Sequence, residues 1–489
     1  MTPHTTTSSS DVTKPSVDDL EVVIGLETHV QLNKLKTKMF CGCSTDYHEA
    51  PPNTHVCPVC LGLPGSMPVI NRKAVMWALK MALALNCKVE STTHFYRKNY
   101  YYPDLPKGFQ ITQYDFPIGS GGYIEIEGDH GTKRIRIRRV HMEEDPGRLV
   151  HVGTIDKSYH TLIDYNRSGM ALLEIVTEPD ISSPKEARAF LFKLRSIVEY
   201  LEISDPDMEG AMRVDANVSL GWGVRTEIKN ITSHRGVEKA LSYEIIRQRG
   251  ALRRGATLVQ ETRHFDEARN ITISLRSKEG EADYRYFPEP DLPPFSVIDW
   301  IEEVRAGLPE LPDEKRVRFI RDYGITEAHA RALTSDAELA NLFEALVSRG
   351  IEARICSAWV ADVLEGELNY RNMRASEELT DSIYGLLEMF MSGNLSDRAA
   401  VMTLRAMLDE GVNPKEYVQK EGLLKADEDE LESVVNQVLE ECKQAVDDYH
   451  AGKKEALNYL VGQVMKHTRG RADANASREL LRGALDRLK

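Results

Sequence analysis

The distribution of proline divides this chain into two parts that differ in fold class. Six prolines crowd the stretch from residue 288 to residue 312, and no proline occurs from 313 through 413. Proline removes a backbone donor and breaks helices, so the crowded stretch indicates a boundary and the proline-free stretch permits continuous helices. Residues 20 to about 290 mix strand and helix patterns, while helical periodicity dominates afterwards. The sequence therefore predicts an α+β fold.

These breaks predict four segments. Residues 1–19 are polar and rich in Thr and Ser, so we expect a disordered tail rather than a secretory signal. A mixed domain follows over 20–294, then a helical domain over 295–412, and the Gly411–Pro414 break begins a last helical domain over 413–489. No apolar run reaches the roughly 18 residues of a membrane span. We therefore expect a cytoplasmic protein without a membrane partner.

Charge is distributed unevenly along the chain. The formal net charge of −14 argues against a surface generally adapted to nucleic acid. Residues 424–450 carry nine acidic and two basic side chains, whereas residues 452–489 carry nine basic and four acidic ones. A basic end on an acidic chain indicates an anionic partner, although a solvated helix face would look the same.

The first strand places a carboxylate and an imidazole side by side. Side chains alternate between the two faces of a strand, so Glu27 and His29 share one face while Leu26, Thr28 and Val30 share the other. Such a pair suits a metal site or a proton-transfer site, and an exposed polar face explains it equally well.

Two further segments add carboxylates. Three consecutive acids at 143–145 repel one another, so they are expected to face solvent or to gather around a cation. Glu174 lies within an apolar run and needs a partner if it is buried. Together these residues could supply the oxygen ligands that Mg²⁺ and nucleotide phosphates favour.

A hairpin over 213–229 also has one polar face. Asp215, Asn217 and Ser219 alternate with apolar residues, and Glu227 and Lys229 do so after the turn. A face of this kind is typical of a solvated sheet, and it also resembles the lining of a cleft. The arginines at 134, 136 and 138 alternate in the same way, and here we expect pairing with facing glutamates rather than a phosphate site.

Four of the seven cysteines lie within 20 residues, as Cys41, Cys43, Cys57 and Cys60. Two close pairs at this separation can fold back into a tetrahedral S₄ zinc site, which would be structural because no coordination position stays open. The alternative is four reduced thiols without a ligand. The sequence contains neither a Walker A motif nor a serine-rich amidase signature.

Several long segments in order resemble the aspartyl/glutamyl-tRNA amidotransferase B subunit (GatB) family. The resemblance covers about residues 20 to 489, and the segments that carry it are Ile24–Leu32, Arg97–Lys107, His141–Asp145, Asp164–Arg167, Leu173–Asp180, Asp215–Ser219 and Asp283–Pro294. In that family a cradle-shaped α/β catalytic domain precedes a helical domain and a small all-helical tail domain similar to the YqeY proteins. Several long segments in order are more specific than any single short motif.

The resemblance implies an ATP-dependent ligase that forms a carbon–nitrogen bond with glutamine as the amido donor. ATP would phosphorylate the side-chain carboxylate of Glu-tRNA(Gln) or Asp-tRNA(Asn), and ammonia from a glutaminase A subunit would displace the phosphate. A C subunit would complete a heterotrimer, and the tail domain would bind tRNA. Which of the two mischarged tRNAs is used depends on the host.

The resemblance also implies roles for particular residues. His29, Glu144 and Glu174 would bind Mg²⁺, beside Glu27 and Asp215 in the catalytic site. Lys98 would lie by substrate or phosphate, and Asn217 would contact the nucleotide. The four cysteines would bind a structural Zn²⁺.

Two other functions compete with this one. A zinc-containing tRNA-binding or assembly protein without catalysis would explain the cysteines and the basic end, but it would leave the carboxylates and His29 unused. A free-standing kinase or ligase for a small acid would not explain the basic end. Magnesium-dependent ATP turnover that requires charged tRNA would separate the three.

Overall fold

The computed structural model describes residues 16–152, 159–221, 223–277, 284–426, 428–453, 455–468 and 471–487. The chain forms two compact units, the first ending at Leu311 and the second beginning at Pro312. Within the described residues, no helix combines the length and the apolar character that a membrane crossing requires.

The first unit is built on an eleven-stranded sheet. Its strands and those of two small two-stranded sheets are β1 (Val22–Gln31), β2 (Thr92–Thr93), β3 (Tyr96–Asn99), β4 (Phe109–Thr112), β5 (Gly119–Gly128), β6 (Gly131–Glu144), β7 (Arg148–His151), β8 (Thr161–Asp164), β9 (Ala171–Thr177), β10 (Met212–Leu220), β11 (Thr226–Ile231), β12 (Glu261–Asp266), β13 (Ile271–Ser277), β14 (Phe287–Pro288) and β15 (Phe295–Ser296). The order in the large sheet is β13-β12-β11-β10-β1-β9-β6-β4-β3-β14, and β5 pairs with β6. All of its pairs are antiparallel except β11 with β12.

Helices cover one face of this sheet. They are α1 (Arg72–Ala84), α2 (Pro184–Tyr200), α3 (His234–Arg253) and α4 (Ile298–Ala306). Their apolar side chains form one core with inward-facing strand residues such as Ile24, Leu173 and Val214. Helix α2 begins after Ser183, whose Oγ accepts from the Glu186 N–H at 3.2 Å. Polar side chains of β1, β6, β9 and β10 are left for the other face.

The second unit is helical, as the sequence predicted. Its helices are α5 (Pro312–Tyr323), α6 (Glu327–Ser335), α7 (Ala337–Ser348), α8 (Ala353–Ala358), α9 (Glu365–Tyr370), α10 (Thr380–Met391), α11 (Asp397–Glu410), α12 (Pro414–Lys420), α13 (Glu428–Glu441), α14 (Lys443–His450), α15 (Glu455–His467) and α16 (Ala474–Arg487). Gly411 ends α11 in the left-handed conformation, with φ of 66°, and Asn413 caps α12. Residues from α13, α15 and α16 share a separate apolar core.

Two predicted boundaries differ from the structure. Val17–Asp19, which we assigned to the N-terminal tail, form a 3-10 turn, and residues 1–15 lie outside the described part. The first compact unit extends past Pro294 to Leu311, because Val297 and Val304 are buried in its core. Proline crowding therefore marks the end of the sheet, but one more helix still belongs to the first unit.

Candidate active site

Strand β1 carries its polar residues to the face opposite the helices. Leu26 and Val30 are buried in the core, and Glu27 and His29 alternate with them as the sequence predicted. The strand is paired on both sides, so His29 lies opposite Glu174 of β9 and opposite Arg213 of β10.

Two carboxylates converge on His29. Its Nε2 lies 3.5 Å from Glu143 Oε1 and 3.5 Å from Glu174 Oε2. The donor atoms of these three residues all lie within 4.8 Å of one another. Carboxylate oxygens with one imidazole form a donor set that a hard divalent cation such as Mg²⁺ or Mn²⁺ can use. The three residues therefore fit a cation site.

The protonation of this cluster reflects burial and charge together. Burial opposes the charged form of His29, but the Glu174 and Glu143 carboxylates outweigh it and raise the pKa of His29. Burial also opposes ionisation of Glu174, but His141 and His29 lower the pKa of Glu174 well below its usual range. His141 Nε2 lies 3.2 Å from Glu174 Oε2. Glu174 is thus held as a carboxylate between two imidazoles.

Glu144, which the sequence assigned to this cluster, does not lie in it. Its carboxylate pairs with Lys107 and accepts the Ile111 N–H at 2.8 Å. The acid that the structure places beside His29 and Glu174 is Glu143 and not Glu144. Glu143 and Glu144 are neighbours on one strand, so they must point to opposite faces.

A β-bulge decides which of the two acids faces His29. Ile135 and Ile137 both face the core, and continued alternation would turn Glu144 towards Glu174. The pairing of β6 with β9 instead shifts register between Ile137 and Arg139. Val140 and Met142 consequently become the core residues. That apolar pair was the signal available in the sequence for placing His141 and Glu143 on the polar face.

Asp145 faces neither solvent nor the cluster. Its side chain is fully buried, Arg213 donates to Oδ1 at 2.7 Å, and Gln31 donates to Oδ2 at 3.0 Å. Burial opposes its charge, but Arg213 and Arg167 lower the pKa of Asp145 below its ordinary value. The three consecutive acids therefore do not gather around one cation, because each has a different partner.

Lys98 lies beside the cluster. It is largely buried, which opposes its charge, but Glu143 and other anionic groups nearby raise the pKa of Lys98. Its Nζ lies 5.0 Å from the ring centroid of Tyr284 and 5.8 Å from that of Tyr100. A fixed ammonium next to two carboxylates gives the site both signs of charge.

Glu27 belongs to a second acidic group, with Asp215 and Glu227. Lys229 Nζ lies 2.8 Å from Asp215 Oδ2 and 2.8 Å from Glu227 Oε1, so a cation already neutralises much of this charge. The Asn217 amide donates to Glu27 Oε1 at 3.0 Å. Burial and the nearby Glu174 raise the pKa of Glu27.

Two cavities adjoin these groups on opposite faces of the sheet. One of about 200 Å³ lies beside Glu27 on the polar face and is lined by Gly25, Arg138, Asn217 and Arg225 among others. Another of about 200 Å³ lies on the other side of β6 and is lined by residues that include Arg97, Lys107, Glu144 and Glu289. Glu27 thus lines the first cavity, and Glu144 lines the second.

The four clustered cysteines come together. Their sulfurs lie within 4.8 Å of one another, and the Sγ atoms of Cys57 and Cys60 are 3.9 Å apart. Tetrahedral zinc with Zn–S bonds of about 2.3 Å would hold sulfurs roughly 3.8 Å apart. A hydrogen bond from the Cys41 thiol, helped by the Cys57 N–H, lowers the pKa of Cys60 to about 4. The donor set therefore fits zinc.

The remaining basic residues fall into two groups. Arg134 pairs at 2.8 Å with Glu125, which faces it across the β5–β6 hairpin as predicted, whereas Arg136 and Arg138 pair at 2.6 and 2.8 Å with Asp180 and Glu178, which follow β9. In the C-terminal group, Arg471 pairs with Glu430 and Lys453 pairs with Asp448, while Lys466, Arg482 and Arg487 are exposed. Lys454 and Arg469, two of the nine basic residues in 452–489, lie outside the described residues.

Family comparisons cover most of the chain. Residues 22–302 match the model of the GatB/GatE catalytic domain, and residues 341–485 match that of the GatB domain. The B subunit of an aspartyl/glutamyl-tRNA(Asn/Gln) amidotransferase from Methanococcoides burtonii is 58% identical, covering 95% of this chain and 98% of its own length. Relatives of the same name are 56% identical in Methanosarcina acetivorans, with 94% and 97% covered, and 49% identical in Carboxydothermus hydrogenoformans, with 96% and 100% covered.

Proposed function

Because this chain belongs to the family of aspartyl/glutamyl-tRNA(Asn/Gln) amidotransferase B subunits, we propose that it converts glutamate or aspartate mischarged on tRNA to the amide. A side-chain carboxylate oxygen attacks the terminal phosphorus of ATP, and an acyl phosphate and ADP form. Ammonia then attacks the carbonyl carbon, the nitrogen loses a proton, and inorganic phosphate leaves. A glutaminase A subunit supplies the ammonia, a C subunit completes the complex, and the reaction takes place in the cytoplasm.

The convergence of His29, Glu143 and Glu174 beside Lys98 is the observation that carries this proposal. Phosphoryl transfer depends mainly on positioned cations, because the protein supplies little covalent chemistry. Mg²⁺ held by these three residues would offset the charge of the phosphates and of the substrate carboxylate. A tRNA-binding or assembly protein without catalysis would have no use for this arrangement.

The residues of the chain itself position the reacting groups. Lys98 carries a positive charge that can attract the substrate carboxylate or a phosphate oxygen. His141 holds Glu174 ionised and fixes its direction. Asp215 and Glu227 hold Lys229, and the Asn217 amide holds Glu27. We assign ATP to the cavity beside Glu27, because this cavity opens on the polar face next to the cluster and its lining includes Gly25 and the exposed Arg225.

We propose that ammonia reaches the site through the other cavity, on the Glu144 side of β6. Its Lys107–Glu144 pair lies directly behind Glu143 in the strand, so a small molecule there is separated from the cluster by one strand only. Delivery from behind would keep ammonia apart from ATP and from bulk water until the acyl phosphate has formed.

We further propose that the domain after α12 contacts the tRNA backbone. Its exposed Lys466, Arg482 and Arg487 lie on the last two helices, over a core of their own. Phosphate contacts of this kind give affinity that falls with salt and carries little base specificity.

Reconstitution tests the proposed function. The chain is copurified with its A and C partners and supplied with glutamine, ATP and Mg²⁺ and with either Glu-tRNA(Gln) or Asp-tRNA(Asn). The expected result is amide formation on at least one of them and none without ATP. A complex that contains all three subunits but amidates neither tRNA would refute the proposal.

A further inference from the structure

The residues His29, Glu143 and Glu174 are called the cation cluster below. A continuous row of tyrosine rings borders this cluster on the β3 side. Tyr96 and Tyr114 have centroids 5.9 Å apart, and Tyr114 stacks on Tyr286 at 4.1 Å with 8° between the ring planes. Tyr286 continues to Tyr284 at 6.1 Å, and Tyr284 to Tyr100 at 5.8 Å. The ammonium of Lys98 lies over the Tyr284 end of this row.

Of the five rings in the row, only that of Tyr96 is buried, and the other four are half-buried or exposed. None of its five rings belongs to the core cluster of the first unit. Tyr114 is 42% exposed, and Tyr101 and Tyr102, which directly follow Tyr100 in the chain, are 90% and 57% exposed. Exposed aromatic rings gathered beside a polar cleft indicate a surface that binds a partner.

The backbone is strained at the residue that separates two of these rings. Arg285 stands between Tyr284 and Tyr286 at φ of 45°, a left-handed conformation that residues other than glycine rarely adopt. Asn99 holds it there, since its N–H donates to the Tyr284 carbonyl at 2.9 Å and its side-chain amide donates to the Arg285 carbonyl at 2.8 Å. Strain of this kind persists only where the surroundings impose it, and it concentrates at ligand sites.

We propose that this tyrosine row is the platform on which bases of the unpaired 3′ end of the aminoacyl-tRNA stack, so that the aminoacyl group meets Lys98 and Glu143. The inference rests on the proposed function and adds the site that positions its substrate. Single-stranded nucleic acid is held by stacking on aromatic side chains, whatever its sequence. A flexible 3′ end needs such a support if a short side-chain carboxylate is to reach a fixed phosphate.

The position of the row selects this ligand over the adenine of ATP. The row belongs to β3, β4 and β14 and to the segments that flank them, whereas the cavity assigned to ATP is lined from β1, β9 and β10. In the sheet order β4, β3 and β14 follow the cluster strands β1, β9 and β6 on one side, whereas the ATP cavity shares β1 and β9 with the cluster and reaches β10 on the other side. Phosphate donor and acceptor would therefore approach the cation cluster from opposite sides.

The test uses the reconstituted complex and a tRNA with 2-aminopurine in place of the 3′-terminal adenine. Stacking should quench the fluorophore when the wild-type complex binds. In Tyr114→Leu and Tyr286→Leu the quenching should be lost and KM for aminoacyl-tRNA should rise about tenfold, as expected for one lost stack, with KM for ATP changed less than twofold. Tyr114→Phe and Tyr286→Phe keep a ring and should restore both readouts.

Phe192→Leu, which alters an exposed ring on α2, serves as the matched control and should change neither readout. Quenching that persists in the leucine variants, phenylalanine variants that fail like the leucine ones, or a rise confined to KM for ATP would each overturn the platform. The quenching is read without turnover. A wild-type complex that quenches but amidates neither tRNA would refute the proposed function and leave the platform supported.

Discussion

Glu143 and Glu144 are consecutive in the chain, yet their carboxylates serve opposite faces of one sheet. Glu143 Oε1 lies 3.5 Å from His29 Nε2 on the polar face, while Glu144 pairs with Lys107 on the helix-covered side. The bulge between Ile137 and Arg139 decides which acid reaches which face. Substitutions of these two adjacent glutamates should therefore impair different steps of the reaction.

Glu143→Gln should remove the first step of the reaction. The substitution keeps the size of the side chain and deletes one negative donor of the cation cluster, so phosphorylation of the substrate should fall by roughly 100-fold or more. The measurement is ADP release without ammonia, with trapping of the acyl phosphate by hydroxylamine. Near-normal trapping would mean that the cluster around His29 is not the active site.

Glu144→Gln is the matched comparison. It leaves the cluster intact but breaks the Lys107 pair, so acyl phosphate should still form while amidation with glutamine as donor slows. Added ammonium salt should amidate better than glutamine in this variant. Equal loss of phosphorylation in both variants would contradict the assignment of the two acids to different steps.

The sequence predicted those features that depend on local pattern. The alternation of Glu27 and His29 and the gathering of four cysteines follow from neighbouring residues, and the structure has both. The bulge in β6 depends on its pairing with β9, which periodicity within β6 does not encode. The tyrosine row joins residues nearly 200 positions apart and arises only when β14 pairs with β3. Contacts of this kind could not be read from the chain alone.

One zinc ion should copurify with each chain, because the four sulfurs already match a tetrahedral site. Cys57→Ser should lose the metal and lower the melting temperature of the first unit more than it changes the chemical step. Cys442→Ser alters a cysteine outside this cluster and should keep the full zinc content. Elemental analysis of reduced protein without added metal decides the matter, and its failure to find zinc would contradict the prediction.

Replacing Lys466, Arg482 and Arg487 together by Gln should weaken tRNA binding nearly equally for all tRNAs. Each lost phosphate contact should reduce the slope of log K against log salt by roughly 0.9. Filter binding at several salt concentrations measures this, and glutaminase activity of the A subunit should stay unchanged. Arg349→Gln removes one exposed charge of the second unit elsewhere and is the control. An unaltered slope in the triple variant would show that this face is merely solvated.

Asp145→Asn should destabilise the first unit, with a definite dependence on pH. Burial raises the pKa of Asp145 less than Arg213 and Arg167 together lower it, so the native state binds its proton less readily than the unfolded chain does. Its stabilising contribution is complete above the unfolded pKa of about 3.9 and disappears as pH falls through the lower native pKa. Leaving two guanidinium groups without their buried anion should cost roughly 3 kcal/mol near neutral pH.

Denaturant unfolding at a series of pH values measures both effects. The variant should be less stable than the wild type at pH 7, and the gap should narrow below about pH 4 as the wild type itself becomes protonated. Asp322→Asn removes an exposed carboxylate in the second unit that pairs only along the surface with Arg321, and it should change stability little. A gap that stays constant down to the lowest pH would show that Asp145 contributes through its shape and hydrogen bonds rather than through its charge.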